Sequence, residues 1–239
     1  MKVDFHTHIL PGIDDGSKDI EESISMIKED WKQGVRIIVA TPHFYADRIS
    51  ESHFFENRDQ SEKKLRKCLA RMKSVPALEI GAEVHYFRGM AKSDIIDRLT
   101  IRGTDLLLLE MPFEQWTEEH LQEIKYMIYH RNLCIILAHV ERYYHFQKKK
   151  EVWDALMDLP VWKQINTGSL KKKGVFDRSY SWVIHFLKKE NRVVFGTDCH
   201  NMNERRPNYR SGMDSLKKEL TASRIKNFER VEASMIKRS

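Results

Sequence analysis

The chain has 239 residues, a mass of 28.4 kDa and a formal charge of +6, a length that suits one large α/β core. Hydrophobic residues make up 41% and charged residues 32%, which excludes disordered, collagenous and coiled-coil chains. The longest apolar run, Leu133 to Ala138, is far shorter than the ~18 residues that a membrane span needs, and the N-terminal segment lacks a secretory pattern. We therefore expect one cytoplasmic domain over residues 1–239, without membrane insertion.

Short apolar segments alternate with longer segments of helical period, the pattern of repeated β-α units. In the clearest helix, between the first two strands, Ser17 is the predicted N-cap and Gly34 the C-terminal residue. Further helices are predicted over 61–73, 117–130, 178–190 and 211–220, whereas residues 223–239 fit a helix, a partner contact or a frayed tail. Seven strands predict an α/β fold, a distorted (β/α)7 TIM-like barrel whose chemistry lies at the strands' C-terminal ends. The strands are predicted at Val3–His6, Arg36–Ala40, Ala77–Gly81, Asp105–Glu110, Leu133–Ala138, Trp162–Asn166 and Arg192–Gly196.

Histidines and carboxylates lie at the C-terminal ends of most of these strands. His6 and His8 are two residues apart, so an extended strand projects both imidazoles to the same side. A single strand-end histidine is more often a packed or surface residue than a ligand, but convergence of many at one barrel mouth favours a site for more than one metal ion. The residues concerned are His6, His8, His43, Glu83, Glu110, His139, Asp198 and His200.

The motifs resemble those of the polymerase and histidinol phosphatase (PHP) superfamily, and within it the bacterial metal-dependent tyrosine phosphatases encoded with capsular and exopolysaccharide genes. The most specific motif is the segment 4–16, DFHTHILPGIDDG, and the others follow in order up to residue 200. They are Ala40–His43, Gly81–Glu83, Ala138–Tyr143 and Thr197–His200. The resemblance implies the PHP fold and three divalent ions, with Mn favoured over Fe, Co or Zn.

The resemblance also implies how the ligands divide among the three ions. His6, His8 and Asp198 would hold the first ion, and Glu83 would bridge it to the second, which Glu110 and His139 complete. The third would be held by His43, His200 and an aspartate of the turn at 14–16, where the motif alignment favours Asp15 over Asp14.

In this family a metal-activated water attacks phosphorus, so no phosphoenzyme forms. Arg142 and Arg206 match family arginines that bind the phosphate and stabilise transition-state charge, although Asn208 stands where the family pattern has a second proline. Cys199 and Arg205 have the C-x5-R spacing of thiol phosphatases. The segment between them contains no glycine for a phosphate loop, and Asp198 precedes the thiol, so we reject Cys199 as a nucleophile.

Basic clusters at 148–150 and 171–173 follow the fifth and sixth strands, where they could steer an acidic peptide or form a solvated face. Four aromatic residues just past strand ends could line a pocket for a phenolic ring, although loop aromatics often only cover the core. They are Phe44, Tyr45, Phe113 and Trp116.

Four functions compete, of which one is a metal-binding scaffold without catalysis, which would bind metal without turnover. The leading one is dephosphorylation of a phosphotyrosine protein, by resemblance the bacterial tyrosine kinase that controls polysaccharide chain synthesis. The second is hydrolysis of a small phosphomonoester such as histidinol phosphate. A nucleic-acid-directed PHP module is the third, but the basic residues form no recognised binding motif, so we expect no nucleic-acid partner. The sequence leaves the oligomeric state open.

Overall fold

The computed structural model describes residues 1–174 and 176–236. Its strands are β1 (Lys2–Thr7), β2 (Val35–Ala40), β3 (His43–Phe44), β4 (Ala77–Ile80), β5 (Glu83–His85), β6 (Leu106–Glu110), β7 (Cys134–Leu137), β8 (Trp162–Asn166) and β9 (Val193–Gly196). Its helices are α1 (Ile20–Gln33), α2 (Glu51–Leu69), α3 (Ile96–Leu99), α4 (Glu118–His130), α5 (Glu151–Asp158), α6 (Arg178–Lys189), α7 (Tyr209–Leu216) and α8 (Ala222–Ile236).

Helix α1 connects β1 to β2, and its capping residues show how the local sequence determines where it begins and ends. Its N-cap is Asp19, whose carboxylate accepts a hydrogen bond from the amide of Glu22 at 2.9 Å. Ser17, the predicted cap, instead donates its hydroxyl to the Asp19 carbonyl. The prediction of Gly34 at the C-terminus is confirmed, because its φ of 94° is the left-handed conformation that glycine adopts without a steric penalty.

The strands form two parallel sheets, ordered β1-β2-β4 and β3-β5-β6-β7-β8-β9. Pro42, which has no amide hydrogen to donate, separates β2 from β3. Two backbone hydrogen bonds connect the C-terminal end of β1 with the segment that follows β9. The Asp198 amide donates to the His6 carbonyl at 2.8 Å, and the His8 amide donates to the Cys199 carbonyl at 2.9 Å. The predicted parallel α/β fold is confirmed, but the described residues do not form one closed hydrogen-bonded barrel.

The remaining elements differ from prediction mainly in the extent and number of the helices. Helix α2 begins at Glu51, ten residues before its predicted start, with the Ser50 side chain accepting from the His53 amide. Helix α5 was not predicted. Helix α8 occupies most of the C-terminal stretch that the sequence left open, and its Glu232 accepts a hydrogen bond from the Phe195 amide at 2.7 Å.

Apolar side chains form two buried clusters. The larger one joins the helices to the sheets, and the smaller one contains β-strand residues such as Phe5, Val39 and Leu108 together with Ile236 at the end of α8. These packed faces fix the strands, and hence the loops at their C-terminal ends, in relation to one another. None of the described helices combines the length and apolar character needed to cross a bilayer.

Candidate metal centre

The C-terminal ends of the strands bring all nine predicted ligands to one place. His6 and His8 come from the end of β1, and their Nε2 atoms lie 3.1 Å apart. One carboxylate oxygen of Glu83, Oε2, lies 3.1 Å from the first of these nitrogens and 3.3 Å from the second. Asp198 Oδ1 lies 3.6 and 3.5 Å from the same two atoms. These four side chains form the predicted first ligand group.

Glu83 also reaches the second group. Its Oε1 lies 2.9 Å from Nε2 of His139, and that nitrogen lies 3.4 Å from Oε1 of Glu110. His43 joins the two groups, since its Nδ1 lies 2.9 Å from Glu83 Oε2. Glu83 is therefore placed where a bridging carboxylate is required.

The third group contains Asp15, whose Oδ1 lies 3.5 Å from His43 Nε2 and 3.4 Å from His200 Nε2. Asp14 faces the other way: its Oδ2 accepts hydrogen bonds from His8 Nδ1 at 2.8 Å and from the His43 amide at 3.0 Å. The geometry therefore supports Asp15 as the ligand and Asp14 as the group that orients His8.

Two of the predicted ligands occupy strained backbone positions. His139 has φ 31° and Asp198 has φ 53°, values that residues with a Cβ rarely adopt. Each of the two residues follows a buried strand closely, β7 or β9. The left-handed conformation turns the chain sharply there while the side chain stays in the centre.

The side chains fit a metal, because several of their atoms are left without hydrogen bonds. Glu83 Oε2 and His200 Nε2 are buried, and among the described residues neither makes a hydrogen bond of good geometry, although Glu83 Oε2 lies 2.9 Å from His43 Nδ1. Buried polar atoms rarely remain unpaired in native proteins. Nitrogen and carboxylate oxygen atoms some 3–3.6 Å apart match the spacing of donors around an ion bound at about 2.0–2.2 Å. In each of three groups of residues, one donor atom per residue lies within 4.8 Å of the others: His8–Asp15–His43–His200, His6–His8–Glu83 and His43–Glu83–Glu110.

The centre is strongly electronegative without cations. Burial opposes charge on Glu110, but hydrogen bonds from His139 and His85 outweigh it and lower its pKa to about 2. Burial likewise opposes protonation of His139, yet hydrogen bonds to Glu110 and Glu83 raise its pKa to about 9. Burial and nearby His8 lower the pKa of His200 to about 4. The carboxylates are therefore ionised at neutral pH and attract cations, whether protons or metal ions.

Of the two predicted arginines, the structure brings only Arg142 to the centre. Its Nη1 lies 3.8 Å from Asp198 Oδ2, and its guanidinium lies over the Phe113 ring at 4.9 Å. Arg206 instead lines a cavity of about 750 Å³ with Glu29 and Arg210, and this cavity adjoins the cleft that Arg142 lines, since Glu204 and Asn208 line both. The phosphate-binding role of Arg206 stays a prediction.

Arg205 occupies the position that sequence reasoning gave to Arg206. Its Nη2 lies 2.8 Å from Asp198 Oδ1, and together with Arg142 it lines a cleft of about 560 Å³ beside the centre. The cause is the loop after β9, where the His200 amide donates to the Arg205 carbonyl at 2.8 Å and folds the chain inward. The signal available in the sequence was the position of Arg205, seven residues after Asp198 in the loop that follows β9.

Sequence reasoning also missed Gln164 and His85. Gln164 Oε1 lies 3.1 Å from His6 Nδ1 and accepts from the His139 amide at 2.7 Å, so one amide oxygen positions two candidate ligands. His85 Nδ1 lies 2.9 Å from Glu110 Oε2. The position of Gln164 inside β8, on the face that holds the ligands, was the only sequence signal for its role.

The predicted pocket aromatics divide in two. Phe44 and Trp116 are buried in the core, whereas Tyr45 and Phe113 lie at the centre. Tyr45 packs against His43, with ring centroids 5.1 Å apart, and Phe113 stacks on His139 with centroids 5.8 Å apart. Two aromatic rings therefore contact histidines of the centre.

Cys199 is fully buried, and burial raises its pKa well above the usual range, so its thiol stays protonated.

The two basic clusters differ in placement. Lys173 lines the cleft with Arg142, whereas Lys150 Nζ lies 3.5 Å from the centroid of the Tyr144 ring. Only one of these clusters reaches the cleft through a lining residue.

Comparison with known proteins gives the same identification as the motifs. The family model described as capsular polysaccharide synthesis, CpsB/CapC, matches residues 2–236. Tyrosine-protein phosphatase CpsB of Streptococcus agalactiae is 28% identical over 218 residues, which cover 86% of this chain and 85% of that protein. Tyrosine-protein phosphatase YwqE of Bacillus subtilis is 28% identical over 221 residues, covering 91% and 85%.

A solved structure from work on YwqE of Bacillus subtilis and CpsB of Streptococcus pneumoniae, described as unique metal-dependent tyrosine phosphatases, is similar to this fold. It superposes with a TM-score of 0.76 at 25% identity and covers 93% of this chain and 89% of that one. The predicted resemblance is thus confirmed, and the chain belongs to the CpsB/CapC family of capsular polysaccharide synthesis proteins.

Proposed function

We propose that this protein is a metal-dependent phosphatase that hydrolyses phosphotyrosine in a protein substrate. The observation that carries the proposal is the union of three donor groups through Glu83, His8 and His43, next to two arginine side chains. Relatives over most of the chain are named tyrosine phosphatases, which supports the same reaction. We propose three divalent ions, with Mn favoured over Fe, Co or Zn because neutral imidazole mixed with carboxylate suits this group of metals.

The proposed ligands follow the geometry. His6, His8 and Asp198 hold one ion, Glu110 and His139 a second, and His43, His200 and Asp15 a third, with Glu83 shared between the first two. When bound, these ions would acidify a water molecule and neutralise phosphoryl oxygens.

The chain's own polar side chains bind and orient the phosphoryl group. Arg142 and Arg205 both contact Asp198, line the same cleft and are about half exposed, so their remaining N–H groups are available to a phosphate in the cleft. Asp198 holds Arg205 at 2.8 Å, which fixes the direction of that guanidinium before substrate arrives. Arg205, rather than Arg206, is thus our proposed partner of Arg142.

The ring of a phosphotyrosine has an apolar surface to rest on. Phe113 is 36% exposed and Phe146 is 42% exposed, and their rings are in edge contact at 5.9 Å. The Phe113 ring lies 4.9 Å from the Arg142 guanidinium, and Phe146 contacts that ring. These rings favour an aryl phosphate over a small polar ester.

Four finer statements belong to the same proposal. The two sheets act as one distorted seven-stranded barrel, since β3 continues β2, β5 continues β4, and backbone hydrogen bonds connect the end of β1 with that of β9. The chain is a single PHP domain over residues 1–239. Its protein substrate is the tyrosine kinase that regulates capsular or exopolysaccharide synthesis, by analogy with the family. Its cytoplasmic location stays a prediction from the sequence.

The proposal is tested with chelator-treated protein to which Mn is added back. We expect hydrolysis of a phosphotyrosine peptide to return with Mn, to persist in Cys199→Ser and to fall by about 100-fold or more in His8→Ala, which loses a ligand. Activity in chelator that disappears in Cys199→Ser would instead establish a thiol mechanism.

A substrate comparison tests the specificity. We expect kcat/KM for the phosphotyrosine peptide to exceed that for histidinol phosphate, because the exposed rings contact only the aryl group. The reverse order would favour the small-molecule phosphatase.

A further inference from the structure

A second polar cleft, of about 700 Å³, lies between α2 and the segment at 98–102, and none of the proposed metal ligands lines it. Five basic side chains line this arginine cleft: Arg58, Lys63, Arg66, Arg98 and Arg102. This density of guanidinium groups in one concave surface has no part in the chemistry proposed for the metal centre.

The acidic residues of the arginine cleft do not balance its charge. Glu62 is buried and already accepts Arg66 Nε at 2.7 Å and Arg102 Nη1 at 2.9 Å. Asp59 lies 3.2 Å from Arg102 Nη2 and 3.8 Å from Arg58 Nε. Five cations facing two anions leave three positive charges in excess within one cleft. Such a surplus concentrates anions from solution.

Arg58 is the unusual member of the set. Its side chain is only 7% exposed, it lies against the Phe55 ring at 4.8 Å, and its Nη1 donates to the Gly81 carbonyl at 3.3 Å. Its Nε has no hydrogen-bond partner among the described residues. Burial lowers the pKa of this guanidinium to about 10. A buried cation with an unused N–H is costly unless an anion compensates it.

Arg98 is held in place without a carboxylate. Its guanidinium lies 3.9 Å from the centroid of the Phe55 ring, which Arg58 also contacts, and none of the ion pairs found among residues 1–174 and 176–236 includes Arg98. Stacking on a buried ring leaves the edge of the guanidinium, which carries its N–H groups, available.

We propose that the arginine cleft binds a phosphoryl group, either free inorganic phosphate or a phosphorylated side chain. A phosphoryl dianion has several acceptor oxygens, so it can take N–H groups from Arg58 and Arg98 at once and neutralise two of the three surplus charges. The volume of the arginine cleft leaves room for groups attached to the phosphate. The inference is independent of the function proposed for the metal centre.

Calorimetric titration of the full chain with sodium phosphate at fixed ionic strength tests the proposal. We expect two classes of site in the wild-type protein, one at the metal centre and one at the arginine cleft. Arg98→Gln should weaken the second class by about tenfold or more, since it removes the charge-assisted hydrogen bonds from this side chain to the phosphate. Arg98→Lys, which keeps the charge and loses the planar fork, should weaken it less.

Arg36→Gln is the matched control, because Arg36 also stacks on an aromatic ring, Trp31 at 3.8 Å, but lies outside the arginine cleft. It should keep both classes of site. Titration with a peptide carrying a non-hydrolysable phosphonate distinguishes the two sources: a larger effect of Arg98→Gln on the peptide points to a phosphorylated chain, and an equal effect points to free phosphate.

Phosphate binding that is unchanged in Arg98→Gln would overturn the proposal, whether the wild-type protein shows one class of site or two. A single class that is weakened in Arg98→Gln would support the arginine cleft and count against phosphate binding at the metal centre. Thermal unfolding of each variant identifies any that is misfolded. Because Arg98 is exposed, its substitution should leave the midpoint unchanged.

Discussion

His8 depends on its neighbour Asp14 for the direction of its free nitrogen. Asp14 accepts the Nδ1 hydrogen at 2.8 Å, which leaves the Nε2 lone pair facing Glu83 and Asp198. Burial opposes ionisation of Asp14, but His8 and the backbone amides of His43 and Gly16 lower its pKa to about 2. Asp14 therefore remains a carboxylate at any working pH. The centre is therefore organised by residues that would not touch an ion as well as by those that would.

Asp14→Asn should weaken Mn binding by about 10–100-fold, because an amide no longer fixes the His8 tautomer. Metal titration followed by calorimetry measures the change. Asp47→Asn, which removes a carboxylate from an exposed position, is the matched control and should bind Mn as the wild type does. Equal affinities for all three proteins would contradict an orienting role for Asp14.

Phe113→Ala should lower kcat/KM for a phosphotyrosine peptide by about tenfold, corresponding to some 1.4 kcal/mol of lost aryl contact. The Phe113 ring also stacks on His139, so part of the loss in kcat/KM could come from a displaced histidine. The loss in kcat/KM that Phe113→Ala causes for a phosphoserine peptide, which has no aryl group, measures that part. We expect this loss to be smaller than that for the phosphotyrosine peptide. Tyr129→Ala, at an aromatic residue 59% exposed on α4, is the control. Equal losses for both peptides would exclude a specificity role.

At the scale of the element, β9 and β1 are held close by a glycine. A Cβ at Gly196 would lie 2.6 Å from His6 Cβ and 2.9 Å from Gln164 Nε2, closer than real contacts allow. The register of these strands therefore depends on a residue without a side chain, and the position of His6 depends on that register.

Gly196→Ala should shift His6 and reduce Mn affinity together with thermal stability, because β1 and β9 must separate. Overpacking of this kind costs about 1–3 kcal/mol. Gly174→Ala is the control, since nothing lies within 4 Å of a Cβ built there. Unfolding midpoints and Mn titrations of the two variants measure the difference. Wild-type behaviour of Gly196→Ala would show that the strands tolerate separation.

For the whole molecule, stability includes the burial of a carboxylate beneath β9. Glu232 of α8 is fully buried, and burial raises its pKa well above the usual 4.5 although the Phe195 amide hydrogen bond opposes the shift. The folded protein thus holds a proton that the unfolded chain releases above about pH 4.5. Stability from this group is complete below that pH and is lost as pH rises toward the folded pKa.

Glu232→Gln should therefore raise the unfolding midpoint at pH 8 and flatten its decline between pH 5 and 8, where one bound proton accounts for up to about 1.4 kcal/mol per pH unit. The amide retains an acceptor for the Phe195 amide. Thermal melts over this pH range measure the effect, and Glu56→Gln, at an exposed position, is the control. A lower midpoint at pH 8 would mean that the carboxylate is ionised in the fold.

The sequence by itself determined the parallel α/β class and the positions of the candidate ligands at the strand ends. Apolar runs and helical periods are local properties of the chain, and a strand's two-residue repeat places His6 and His8 on one side. Proximity in sequence did not decide between Asp14 and Asp15, or between Arg205 and Arg206, since neighbouring residues differ only in the direction that the loop gives them.

Only the tertiary structure decided these directions, the burial of Phe44 and Trp116, and the gathering of five basic side chains in the arginine cleft. Those properties depend on contacts between segments far apart in the chain, which no local pattern specifies.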